Sequence, residues 1–237
     1  MPSIHLNFVD STSLYIKRNR DKMEDLTFVS ANFQLCGRGR LGRTWQSEAG
    51  KNLLFSICVK NKELINKYEK LSIATAVAVY NALKELGLKY VSIKWPNDVY
   101  VKGKKICGIL LEKFTYGSYI DFLIVGVGLN VNQKEFDCDA TSIILEKQFY
   151  QIRDVKAKVY AQIKTLFKEI ENGNNEYLTI AKKKNYLLRK KVYAYLPNSN
   201  EKVLVKVLDI NDDNSLKVLF DGVEYNLRSG EITFHKD

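Results

Sequence analysis

Histidine is scarce in this chain. His5 and His235 are the only two, both near the ends, and no zinc cluster can be assembled locally from them. The four cysteines, Cys36, Cys58, Cys107 and Cys138, are widely spaced and form no C-x-x-C; they read as reduced, mostly buried thiols. Cys36 differs in standing beside several arginines, whose charge favours a thiolate, but no histidine is near it in sequence. No apolar stretch approaches the roughly 20 residues of a membrane span, and Met1–Asp10 lacks the apolar run of a signal peptide. The expectation is a soluble, cytoplasmic protein with no membrane partner. Internal repeats and low-complexity segments are absent, and no Gly-Lys-Ser/Thr marks a P-loop.

Hydrophobic residues make up 46% of the 237 positions, enough for a proper core rather than a disordered chain. The length suits one large domain, or one plus a small one. A net charge of +10 admits a nucleic-acid partner. The lysines, however, are strongest in Lys156–Lys191, on apparently amphipathic helices, where a solvated face is the usual explanation; an acidic partner protein also suits them.

Periodicity gives a coarse layout. Ile4–Asn19 holds a short strand, a polar Asp10-Ser11-Thr12-Ser13 turn and a helix from Leu14, which Ser and Thr could cap. Strands are expected at Leu26–Phe33 and Asn52–Lys60. A helix over Lys70–Leu86 carries Leu71, Ala74, Ala78, Ala82 and Leu86 on one face and ends at Gly87. Tyr90–Lys94 is a short strand, Asp98–Val101 and Lys105–Glu112 form a hairpin, and Phe122–Val131 is a strand interrupted by Gly126 and Gly128. Asp154 is placed to cap a helix running to about Glu171, and a second helix covers about Glu176–Lys183. Composition changes at Leu188. From Lys191 onward come short strands, at Val192–Leu196, Val203–Leu208, Ser215–Phe220 and Glu224–Leu227, with Asp221-Gly222 a hairpin turn. They read as a small barrel of about 45 residues, too small to be very stable without its neighbour.

The chemistry concentrates in Gly37-Arg38-Gly39-Arg40-Leu41-Gly42-Arg43-Thr44-Trp45. Three glycines let the backbone bend sharply and approach a ligand, and three arginines supply forked donors for carboxylate or phosphate. The glycines spell G-x-G-x-x-G, but a dinucleotide site needs a helix to begin there. Leu53, Phe55, Ile57 and Val59 alternate instead, as in a strand. A small anionic ligand, wrapped and shielded from water, fits the loop best.

Four further segments look functional. In Lys94-Trp95-Pro96-Asn97-Asp98 the proline cannot continue a central strand, so the chain turns and presents Asn97 and Asp98. Lys105 starts a nearly continuous apolar strand, within which Gly108 suggests close approach by another group. Gly126 and Gly128 leave room for a flat ligand or a bulge, or for tight packing, before Asn130. Ser11, Thr12 and Ser13, with Gln34, offer hydroxyl and amide groups to a polar, uncharged ligand part.

The order and spacing of these segments resemble the biotin–protein ligases. Gly37–Trp45, continuing through Ser47, Gly50, Asn52, Leu53 and Ser56, is similar to that family's signature nearly residue for residue. Lys94–Asp98, Lys105 with Gly108–Glu112, and Gly126–Asn130 match its next blocks, and Gly230-Glu231-Ile232 matches its C-terminal module. The resemblance implies an α+β fold: a mixed, largely antiparallel sheet flanked by helices, of the class II aminoacyl-tRNA synthetase-like kind, over residues 1–187, with a small SH3-like β-barrel over 188–237. Some relatives carry an N-terminal winged-helix DNA-binding domain; here the catalytic segment begins at residue 4, so no DNA partner is expected. Ser13 replaces an asparagine found in many relatives, and Leu35-Cys36 is a less polar lead-in than the usual one.

The resemblance implies two steps: biotin attacks MgATP to give biotinyl-AMP and pyrophosphate, then a lysine of a biotin carboxyl carrier protein attacks the adenylate. It assigns Ser11, Thr12, Ser13 and Gln34 to biotin, with the backbone of Gly37, Arg38, Gly39 and Arg40 closing over it. Lys105 bridges carboxylate and α-phosphate, and Arg40 and Arg43 hold the adenylate and pyrophosphate. Asn97 and Asp98 face the reaction centre, Asp98 toward magnesium or the incoming lysine. Trp45 packs over the closed loop, Gly108, Gly126 and Gly128 give room, and Asn130 lies near the adenylate. Lys105, Arg40 and Asp98 are the expected catalytic groups. Family members vary between monomer and dimer, which leaves a homodimer open. The competing readings are a lipoate or octanoate ligase, whose members lack this arginine–glycine loop, and a nucleic-acid-binding protein, which explains the charge but not the loop.

Overall fold

The computed structural model describes residues 2–228 except 198 and 200. Gly230-Glu231-Ile232 and His235 lie outside the described residues. A seven-stranded mixed sheet has the order β1-β2-β3-β7-β6-β5-β4. Its strands are β1 (Ser3–Val9), β2 (Thr27–Gln34), β3 (Asn52–Val59), β4 (Val91–Lys94), β5 (Asp98–Val101), β6 (Lys104–Tyr116) and β7 (Tyr119–Asn130). Only β1 and β2 pair in parallel; every other neighbouring pair is antiparallel.

One face of the sheet is covered by α3 (Tyr68–Glu85), with α5 (Ile152–Glu171) packed on it. α3 is buried nearly all round, and Ala74, Ala76, Ala78 and Ala82 let sheet and helix approach closely. It ends at Leu86 and Gly87, whose φ of 80° suits a residue without a Cβ. α5 buries a single stripe, Val155, Val159, Ile163, Leu166, Phe167 and Ile170, which turns Lys164 and Lys168 outward, whereas Lys156 lies over the Phe28 ring and donates to Ser30 Oγ at 3.1 Å. It begins at Ile152, three residues before the start that a cap at Asp154 implies. Asp154 therefore lies in the first turn, where a carboxylate favours the helix dipole without capping it. The short α2 (Lys62–Asn66) and α4 (Ile143–Glu146), and α6 (Tyr177–Lys183), fill the connections. The first two carry too few residues for periodicity to reveal them.

The opposite face is covered only in part. There α1 (Thr12–Asn19) packs Ile16 against Val29, Cys58, Phe122 and Ile124. It begins at Thr12 rather than Leu14, because the first free amide finds an acceptor in Gln34 (Thr12 N to Gln34 Oε1, 2.8 Å). Ser11 occupies the N-cap but makes no side-chain capping bond.

A second sheet, order β11-β10-β9-β8, is an antiparallel meander of β8 (Lys191–Tyr195), β9 (Lys202–Ile210), β10 (Leu216–Phe220) and β11 (Val223–Leu227). It is a small C-terminal sheet of SH3-like kind, and among the described residues its pairing is that of an open sheet. Asp221 and Gly222 both have positive φ, 47° and 77°, as a two-residue hairpin turn requires. This sheet shares its interior with the large one: Val205, Val207, Leu216 and Val218 belong to the same buried cluster as α3 and β4. Backbone bonds from Ile93 N to Lys184 O and from Tyr186 N to Ile93 O, 2.8 Å each, run along β4. The Trp95 indole donates to Asn214 O at 2.8 Å. Cys58 and Cys107, on strands, are buried, whereas Cys36 and Cys138, on loops, are exposed, so the expectation of mostly buried thiols holds for half of them.

Candidate active site

The part of the sheet that α1 leaves bare is rich in glycine. In the antiparallel ladder Gly108 faces Gly128, and Leu110 faces Gly126, which in turn faces Ser56. Above these rows lies a cavity of about 930 Å³, within the size range of sites for drug-sized ligands.

The arginine loop forms one wall. It is a closed hairpin: Gly39 N donates to Arg43 O at 2.7 Å, Trp45 N to Gly37 O at 2.9 Å, and Arg43 N to Arg40 O at 3.2 Å. The tip reverses through Leu41 and Gly42, both at positive φ, with the Leu41 side chain in solvent. Arg38 reaches Glu112 on β6 at 2.7 Å and so acts as a strut for the loop. Arg40 turns inward, and its Nη1 donates to Asn97 Oδ1 at 2.9 Å. Burial pulls its pKa below the ordinary guanidinium value, opposed by the charge of Asp98. Such a group stays protonated at neutral pH and is poorly hydrated, so an arriving anion finds a cation with little water to displace.

Trp45 does not lie over the loop as expected. Its indole drops to the floor, where a Cβ on Gly108 or Gly128 would overlap the ring. Only hydrogen at these two positions lets the indole lie flat on the sheet. The Trp45 N–H finds no acceptor among the described residues, and Lys105 Nζ sits 5.5 Å from the ring centre, within cation–π range.

Lys105 and Asp98 face each other across β5 and β6, with Nζ 2.8 Å from Oδ1. The approach is off the hydrogen-bond direction, and among the described residues the buried Asp98 Oδ1 has no hydrogen-bond donor. Asn97 is fixed by its Nδ2 donating to Ile109 O at 2.7 Å and by Ile109 N donating to Asn97 O at 2.8 Å. β4 ends at Lys94; the Trp95–Asn97 turn follows and carries Asn97, while Asp98 opens β5.

The far end of the cavity is polar and uncharged. Gln34 Oε1 accepts from Thr12 N and from Thr12 Oγ1 (3.0 Å), Thr12 Oγ1 lies 2.7 Å from Ser56 Oγ, and Ser13 Oγ lies 3.0 Å from Ser56 Oγ. All three residues from Ser11 to Ser13 are buried.

Every expected site residue but one lines this cavity: Ser11, Thr12, Ser13, Gln34, Arg38, Gly39, Arg40, Arg43, Trp45, Asn97, Asp98, Lys105, Gly108, Gly126, Gly128 and Asn130. Gly37 stands behind, where a Cβ would strike the Trp45 carbonyl. Asn130 donates to Thr141 O at 3.0 Å and keeps a buried Oδ1 that has no partner among the described residues.

Sequence reading missed Ser56 as a ligand-facing group and the whole Gln133–Ala140 wall. Ser56 is a polar residue in a buried apolar strand, a signal that was there to find. Gln133 gives none: it matters because its Oε1 accepts from both Asn52 Nδ2 and Glu48 N, joining two distant loops.

No group of three or more His, Cys, Asp and Glu residues placed to hold a metal occurs among the described residues. The donor set fits magnesium in one way, as an ion brought by a polyphosphate and touched by a single carboxylate such as Asp98.

Three comparisons bear on this geometry. The model of the "Biotin/lipoate A/B protein ligase family" matches residues 6–130. Among curated relatives, the bifunctional ligase/repressor BirA of Bacillus subtilis (strain 168) is 37% identical over 111 residues, 47% of this chain and 34% of that protein. The matched stretch therefore spans about a third of that relative's length. The biotin–[acetyl-CoA-carboxylase] ligase of Mycobacterium tuberculosis is 27% identical over 215 residues, 88% of this chain and 79% of that protein. Among solved structures, the biotin protein ligase from Aquifex aeolicus in complex with biotin and ATP superimposes with a TM-score of 0.88 at 29% identity, covering 100% of this chain and 99% of that one.

Proposed function

Because this chain belongs to the biotin/lipoate A/B protein ligase family, we propose that it activates biotin with ATP and transfers it to a lysine of a biotin carboxyl carrier protein. One observation carries the reading: a single cavity has a neutral hydrogen-bonding end at Thr12, Gln34 and Ser56 and a cationic end at Arg40, Arg43 and Lys105. A ureido ring suits the first end. A carboxylate meeting a triphosphate suits the second, because like charges must be neutralised before they can react.

Residues 1–187 form the activating unit in this reading, and 188–237 a module docked against it. In the first step a biotin carboxylate oxygen bonds to the α-phosphorus and the bond to the bridging oxygen breaks, its electron pair leaving on pyrophosphate. Lys105 stands where it can touch both reacting groups, and Asp98 keeps its ammonium oriented. Arg40, anchored to Asn97, holds charge beside the α-phosphate. Positioned cations are the main lever in such displacements. Magnesium, when bound with ATP, supplies further charge neutralisation, with Asp98 as the carboxylate able to touch it. In the second step the amine of the carrier lysine attacks the acyl carbon, AMP leaves, and the amine loses a proton for which Asp98 is a nearby acceptor. The hairpin of Gly37–Trp45 excludes water from the anhydride between the steps. The reading includes cytoplasmic operation without DNA binding.

The test is biotin-dependent exchange of labelled pyrophosphate into ATP, with lipoate and octanoate as controls. Exchange with biotin alone is expected. Exchange with lipoate or octanoate instead moves the chain to the other branch of its family, and exchange with no acid overturns the reading.

A further inference from the structure

The neutral end of the cavity is built by side chains from three elements. Thr12 and Ser13 open α1, Gln34 closes β2, and Ser56 lies within β3. Ser13 Oγ and Ser56 Oγ stand over Gly126, where a Cβ would come within 3.2 and 3.6 Å of them. Ser56 is fully buried, and Thr12 and Ser13 are 2% and 5% exposed. Bulk water therefore does not set the directions of these hydroxyl protons, and the groups must satisfy one another.

Each hydroxyl has one proton to give, and that count fixes every direction in the cluster. It starts at a backbone amide. Thr12 N–H can only donate, so the Gln34 atom 2.8 Å from it is Oε1 and not the amide nitrogen. The same oxygen lies 3.0 Å from Thr12 Oγ1 and has no proton, so Thr12 Oγ1 donates to it. With that proton engaged, the 2.7 Å contact between Thr12 Oγ1 and Ser56 Oγ requires Ser56 to donate. The 3.0 Å contact between Ser56 Oγ and Ser13 Oγ then requires Ser13 to donate. The protons run one way, from Ser13 to Ser56 to Thr12 to Gln34. Ser13 Oγ thus turns its proton away from the cavity it lines and keeps only lone pairs for a ligand. Gln34, its oxygen doubly engaged, has the two protons of Nε2 to offer.

We propose that Ser56 is a positioning residue that sets the polarity of this end, holding Ser13 as an acceptor for a ligand N–H. The inference rests on the ligase reading and deepens it, by naming what makes the site selective. A cyclic urea brings an N–H for Ser13 and a carbonyl for Gln34 Nε2. A dithiolane or a bare alkyl chain brings neither, and leaves both groups desolvated without partners. Serine alone does not discriminate, because a hydroxyl free to turn is donor or acceptor alike. An asparagine at position 13 would carry a carbonyl acceptor of its own; Ser13 takes that character from Ser56.

The experiment titrates biotin into the full chain by calorimetry without ATP, for the parent, Ser56→Ala, Ser13→Ala and the double variant, and follows pyrophosphate exchange in each. Each single change is expected to weaken biotin binding on the order of tenfold. Because Ser56 acts through Ser13, the double variant is expected to lose about tenfold in all, not about a hundredfold. In exchange, Ser56→Ala should raise the KM for biotin and leave kcat and the KM for ATP unchanged, a split that general loosening of the fold would not give. Ser56→Cys keeps the site filled with a weak donor and tests the same link should the alanine variant fold poorly. Unaltered biotin affinity in the folded Ser56 variants overturns the proposal. So do additive losses in the double variant, or a lowered kcat with the KM for biotin unchanged. Because binding is read without turnover, the expected coupling in a protein that exchanges no label supports the role of Ser56 and sinks only the ligase reading, whereas a parent that binds no biotin sinks both.

Discussion

A few side chains hold positions that no near substitute can take. Lys105 is placed by the β5–β6 pairing, by Asp98 and by the Trp45 ring, so that its ammonium stands at the junction of the two ends of the cavity. Lys105→Ala is expected to lower pyrophosphate exchange on the order of a hundredfold or more; an unchanged rate removes Lys105 from the mechanism. Arg40 is tied to Asn97, and Arg40→Gly deletes both the charge and the tie. That variant should shed its adenylate and label bystander lysines, seen as biotin on an unrelated protein in the same tube; labelling confined to the carrier would contradict the retention role. Gly128 is constrained from the other side, by an indole resting on its hydrogen. Gly128→Ala should cost about 1–3 kcal/mol in a denaturant titration through overpacking and raise the KM for biotin, because Trp45 must move. A fold as stable as the parent would show that Trp45 adjusts freely.

Elements place these side chains, and they were unequally legible in the sequence. α3 and α5 announce themselves by apolar spacing, and the hairpin of β5 and β6 by its Lys102-Gly103 turn, both residues at positive φ. The loop and its chemistry were readable because glycine and arginine together have few structural uses. The short α2 and α4, the Gln133–Ala140 wall and the seat of Trp45 were not, since each depends on partners distant in the chain. Nothing near Trp45 in sequence says that it will lie on Gly108 and Gly128 rather than on its own loop. The arginine hairpin is pinned mainly at its base by Trp45 and at its side by Arg38–Glu112. Arg38 is well exposed, so the pair contributes at most about 1 kcal/mol to global stability. Glu112→Gln should therefore leave the melting temperature nearly unchanged while speeding amide exchange at Gly39 and Trp45. Equal exchange in the two proteins would show that the strut does not hold the hairpin.

Two buried clusters hold the molecule together, one running through both sheets and one under α1, and each contributes to its alkaline limit. Burial pushes the Cys58 thiol up to about 11 from 9.0, and the Tyr177 hydroxyl up to about 12 from 10.0. Both groups stay neutral when folded and ionise more readily when unfolded. Their contribution is complete below pH 9 and is lost as pH rises through 9 to 11 for Cys58 and 10 to 12 for Tyr177. At about 1.4 kcal/mol per unit, each is of order 2–3 kcal/mol. Thermal melts from pH 8 to 11 should fall steadily above pH 9, and Cys58→Ala should flatten the first part of that fall; a flat profile in the parent would refute the assignment. The chain also contains two tryptophans in contrasting settings. Trp95 is 1% exposed with its indole N–H bonded, whereas Trp45 is partly exposed on the cavity floor. The protein thus carries its own optical gauge: Trp95 supplies the blue-shifted emission of a buried indole, and Trp45 a signal that responds when something settles on the glycine floor, so occupancy can be followed in real time without a label.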